Sequence, residues 1–224
     1  MSIRRSILVA IPGLFATGSA LAQFGGLGGM IGGAKPGAGG ADVGVQVDDF
    51  VKRSALVSAL ASRALGRVND AFRSDADAAA AKAEREAISK LTDPKEQQAR
   101  TAKLVESESA AAAQLAKSTD LDAKMAALDA TKKRQVADGL FNFGVGVLQA
   151  VPLLKNAQGI VQSVSANPMQ LPKVVPVKDA MPLLQKVIAD GSGTIATLAK
   201  VAKGANIEVR QATESSKESD ESLT

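Results

Sequence analysis

Three helix starts fall within about fifty residues of this chain, and no stretch between them alternates apolar and polar residues as a strand would. Ser74 precedes Asp75-Ala76-Asp77, a cap with an acidic residue three positions on, and an Ala-rich run to Leu91 follows. Asp93 precedes Pro94 and Glu96, so the next helix is expected from Pro94 to about Lys117, with Pro94 at its permissive first position. Thr119-Asp120-Leu121-Asp122 signals a third start, leading through Met125 and Leu128 to Val136. The fold class expected is all-α, an irregular helical bundle of about five or six helices spanning residues 45–210.

Before these starts, Val47, Phe50, Val51, Val57, Leu60, Ala61, Ala64, Val68, Ala71 and Phe72 recur at helical spacing, with Lys52, Arg53, Arg63 and Arg67 between them. A helix over 46–72 with one buried face follows. After them, residues 136–154 are apolar nearly all round, the pattern of a core helix or of one that meets lipid. Within this run Gly144 and Gly146 would admit a close neighbour, and Pro152 is expected to bend or end it. A short helical piece at 157–165 and an extended connector at 171–176 come next, since residues before proline are pushed away from helix. A last helix over 180–203 is expected to restart at Asp179, carry Pro182 in its first turn, weaken at Gly191-Ser192-Gly193 and stop at Gly204. The 136–154 helix should be central, sheathed by 46–72 and 180–203.

The ends read differently. Residues 1–22 have the layout of an export signal cleaved after Ala22: Arg4 and Arg5, a short apolar run, then Ala20-Leu21-Ala22. Residues 23–44 hold paired glycines and read as a Gly-rich flexible spacer, because so much glycine costs entropy to order. Residues 211–224 are rich in Ser and Glu and read as a disordered acidic tail.

Composition then narrows the chemistry. The chain has no His, Cys, Trp or Tyr and six Phe. Without His or Cys the Ser-His-Asp and Cys-His hydrolases and zinc sites of the His/Cys type are excluded, and no disulfide can staple the fold. Removing Arg4 and Arg5 from 27 basic and 23 acidic residues leaves +2, too little to draw the chain to nucleic acid. The acidic pairs Glu84/Glu86, Glu106/Glu108, Asp75/Asp77 and Asp120/Asp122 lie two apart, so on a helix they diverge and read as solvated faces rather than a two-carboxylate site. Glu96 with Arg100 and Asp120 with Lys124 have the spacing of surface pairs. No loop matches a calcium-binding motif.

What remains is an expectation of an exported, non-catalytic protein of a bacterial envelope, periplasmic or secreted, without catalytic, cofactor or metal residues, that binds an envelope protein or serves a structural role. The alternative is membrane activity, with residues 136–154 docking on or inserting into lipid. Lys132, Lys133 and Arg134, the densest basic cluster, with Phe141 and Phe143 form the candidate lipid or anion contact.

Overall fold

A computed structural model describes residues 43–165, 168–213 and 216–217 of the chain. The expected signal segment, almost all of the spacer and most of the acidic tail lie outside the described residues. The elements are α1 (Val43–Asp70), α2 (Asp75–Ser89), α3 (Pro94–Ala116), α4 (Leu121–Ala127), α5 (Ala130–Ser165), a 3-10 segment (Pro168–Val174), α6 (Val175–Asp190), a π turn (Gly191–Ile195) and α7 (Ala196–Gly204). Backbone angles stay helical through Asp190, Gly191 and Ala196, so α6, the π turn and α7 run on as one rod. Six helical rods and no strand stand among the described residues, an all-α bundle.

Local chemistry sets the starts. The Ser74 hydroxyl accepts the Asp77 amide at 3.2 Å, and the Asp93 carboxylate accepts the amides of Lys95 and Glu96 ahead of Pro94. The helix expected to run from Asp120 through Val136 instead breaks at Leu128, which is extended. Asp129 then caps α5 by accepting the Lys132 amide at 2.8 Å.

Pro152 lies inside the 36-residue α5 and does not end it. A proline there costs roughly 3 kcal/mol. Leu153, Ile160 and Val164 beyond it are buried, and each recovers about 1.5–3 kcal/mol only if the helix continues on the same line. Nor is residue 171 onward an extended connector: it is 3-10 helix to Val174 and α-helix from Val175, with Pro176 in the first turn and Pro182 in the interior. The weakness expected at Gly191-Ser192-Gly193 takes the form of the π turn, and Gly204 ends α7.

The core is built around α1 and α5. Phe50, Val57, Leu65, Val68, Val136, Leu140, Phe143 and Ala150 are buried in one cluster with Leu184, Val187 and Leu198 from the last rod. Helix α1 has more than one buried face: from Leu60 to Asn69 all but Arg63 and Arg67 are buried. Small residues make that enclosure possible, with Ser54, Ser58, Ser62 and Gly66 four apart on one line. Ser58 gives its hydroxyl to the Ser54 carbonyl at 2.7 Å, and Ser54 to that of Val51 at 2.9 Å, so these two polar side chains enter the interior without losing a hydrogen bond.

The approach of α1 and α5 is set by Gly139. A Cβ there would lie 2.8 Å from the Ala64 carbonyl oxygen and 2.7 Å from Val68 Cγ2. At Gly146 it would meet Leu60 and Ala61 at ordinary distances. Contacts that move up α5 thus move down α1, and the two helices are antiparallel. Against α1 the tight position is Gly139 rather than the expected Gly144 or Gly146; Gly144 is close instead to Ala212, whose Cβ would lie 3.1 Å from a Cβ there. Gly191 plays the same part for the last rod, since a Cβ there would sit 2.5 Å from Val147 Cγ2.

Candidate functional site

The charged residues at the end of α1 converge with two from α2 and α3. Glu108, read from sequence as part of a solvated face, is 2 % exposed. Its carboxylate takes the Arg73 guanidinium in a fork, both nitrogens at 3.1 Å, and Arg85 Nη1 at 3.3 Å. The Asn69 amide donates to the same carboxylate and, at 2.9 Å, to the Glu108 carbonyl. Arg73 also reaches Asp70 at 2.7 Å, and Arg85 pairs with the other oxygen of Asp70. Two carboxylates and two guanidinium groups therefore cancel inside one hydrogen-bonded cluster.

Gly66 completes the arrangement. A Cβ on it would lie 2.5 Å from Arg85 Nη1, so the guanidinium lies flat against the backbone of α1. Burial alone would lower the pKa of Arg73, but the hydrogen bonds and charges of Glu108 and Asp70 outweigh it and hold the group above its ordinary value. Chemically the cluster fastens three helices together. Its carboxylates are committed to cations, which leaves none poised as a general base. No group of three or more His, Cys, Asp or Glu that could hold a metal occurs among the described residues.

The surface pairs follow their spacing: Glu96 with Arg100 at 2.9 Å, Asp120 with Lys124 at 3.1 Å and Asp49 with Arg53 at 2.9 Å. The missed residues are Asn69, Asp70, Arg73, Arg85 and Glu108. Helical spacing shows local neighbours, whereas Glu108 meets residues 23 to 39 positions away. The one available signal was Glu108 falling in phase with Leu104, Val105 and Ala112 on the buried side of α3.

The candidate lipid or anion contact is dispersed by the fold. Lys132 and Lys133 are half-buried and Arg134 is exposed near the start of α5, and Lys132 stands 3.7 Å from Asp75. Phe143 is wholly enclosed in the core. Phe141 is buried beside Leu60 and Val145, with the Arg210 guanidinium 4.3 Å above its ring. Both apolar members of the candidate set are thus turned inward in this fold: a lipid contact through Phe141 and Phe143 needs a rearrangement, because their faces are already covered by protein.

The cover over Phe141 is the segment after α7. Asn206 turns the chain with φ 59°, a left-handed conformation asparagine tolerates. Ile207 is then buried, Arg210 reaches Asp138 at 3.4 Å, and Ala212 packs near Gly144. The acidic tail expected from residue 211 therefore has its first residues laid against α5.

No family model matches the chain, and no curated protein or solved structure shows similarity to it.

Proposed function

We propose that this is an exported, non-catalytic helical protein of a bacterial envelope that binds a protein partner or serves a structural role. The observation that supports the reading best is the use made of buried charge. Asp70, Arg73, Arg85 and Glu108 neutralise one another as ties between helices rather than facing a substrate. The absence of His and Cys from the sequence points the same way. The layout of residues 1–22 supports export, with cleavage after Ala22.

Expression of the whole chain in a bacterium, followed by fractionation and N-terminal sequencing, tests the address. A product beginning at Gln23 outside the cytoplasm is expected, and an uncleaved cytoplasmic product overturns export. Photo-cross-linkers placed along the exposed faces of α1 and α2 test the role. A discrete adduct of defined mass is expected, and its absence from every position counts against a protein partner.

A second reading, membrane docking, has one observation in its favour. Residues Ala130–Val164 form the one described helix long and apolar enough to cross a membrane by length and composition. Most of the most apolar 18-residue portion of that helix is buried within the bundle, which is also what a core helix looks like. Sedimentation with neutral and anionic vesicles separates the readings: helical protein that stays in solution with both overturns docking.

A further inference from the structure

Helix α2 touches the bundle along one line, Ala78, Ala81, Arg85 and Ile88, and of its fifteen residues Ile88 alone is buried. One buried isoleucine does not offset the entropy of ordering a helix of that length, and an isolated helix this short is marginal in water. The remaining ties are polar. Gln97 donates to the Ile88 carbonyl at 3.4 Å, and Lys132 lies 3.7 Å from an Asp75 carboxylate that is fully in solvent, a pair of little worth. Arg85 is the exception, its side chain 12 % exposed and joined to both Asp70 and Glu108.

We propose that α2 is a releasable arm and that Arg85 is its latch: the helix swings away from α1 and α3 as a unit while the core of α1, α5 and α6 stays closed. Two features make release cheaper than the burial of Glu108 suggests. Glu108 keeps Arg73 and Asn69 when Arg85 leaves, and Asp70 keeps Arg73, so neither carboxylate is orphaned. The core cluster of buried apolar residues contains no member of α2, so opening leaves it intact. Flanking turns at 71–74 and 90–93 supply the hinges. The opened arm uncovers the Gly66 backbone and the sides of Asp70 and Glu108 that Arg85 had covered.

Amide hydrogen exchange on the purified protein and on Arg85→Met tests the latch. Peptides across 75–90 are expected to exchange at least about tenfold faster in the variant, while 57–68 and 136–150 change by less than about twofold. Arg85→Lys is expected to fall between, because an ammonium cannot fork onto both acids. Unchanged exchange over 75–90 overturns the latch. Faster exchange over 75–90 and 57–68 together overturns the arm, since α2 is then part of the core. If Arg85→Met does not fold, Arg85→Lys gives the same reading, since it weakens the same pairs while keeping the charge. Selective acceleration over 75–90 supports release, and a uniform response or none overturns it.

Discussion

On one side of α1 the neighbour is α5, and the contact is made by shape: Gly139 has no side chain, so Ala64 and Val68 come within a methyl's reach of its backbone. On the other side, towards α2 and α3, the contact is made by charge, with Arg73 and Arg85 filling the space around Glu108 and Asp70. The first contact is non-directional and survives any salt, and its weakness is volume, since a single added carbon has nowhere to go. The second tolerates loose packing, and its weakness is the loss of Glu108, which leaves two guanidinium groups to share one carboxylate. One helix therefore carries two unlike failure modes a few residues apart.

Substitutions can break that contrast in order of expected cost. Phe143→Asp puts an unpaired charge beside α1 and should cost more than about 4 kcal/mol, read as lost helix signal or a collapsed urea midpoint. A variant with the wild-type midpoint would remove Phe143 from the core. Gly139→Ala should cost about 2–3 kcal/mol, because the atom it meets is a backbone carbonyl that cannot move aside. Glu108→Gln should cost about 2 kcal/mol, since Arg73 and Arg85 then share Asp70 alone. If Glu108→Gln proves costlier than Gly139→Ala, charge rather than shape is the stronger fastening and the contrast inverts.

Two smaller effects sharpen the picture at the surface. Arg210→Ala should cost less than about 1 kcal/mol, because the side chain is 58 % exposed although it pairs with Asp138 and covers Phe141. Asp120 is held below its ordinary carboxyl pKa by the Ser118 hydroxyl and then by Lys124. A lowered folded value gives a contribution present above the unfolded pKa and lost as pH falls through the folded one. For so exposed a group, an NMR titration shifted to lower pH is expected, with no change in unfolding midpoint for Asp120→Asn near neutral pH.

Much of the fold was legible because helix ends are local. Ser74 and Asp93 cap within three residues of themselves, and Gly204 ends α7 where its position in the sequence suggests. Asp129 was passed over because Met125, Leu128 and Val136 keep helical spacing across the break, and periodicity does not register an extended Leu128. Pro152 and Pro182 misled for the opposite reason: a local penalty was outweighed by burial on both sides of each. The enclosure of α1 was hidden because serine reads as polar, while Ser54 and Ser58 satisfy themselves within their own helix. The charge cluster was least legible, since it exists only once three helices are in place.

The pairing of α1 with α5 has a consequence for the order of synthesis. About sixty residues separate the end of α1 from the start of α5, and at ~5–20 residues per second a ribosome takes roughly 3–12 s to make them. Throughout that interval the apolar side of α1 has only the thinly apolar α2 and α3 for company. Compact structure must wait for the second half of the chain to emerge. If the chain is exported as proposed, a nascent polypeptide of this kind would reach the translocation channel before its core can close.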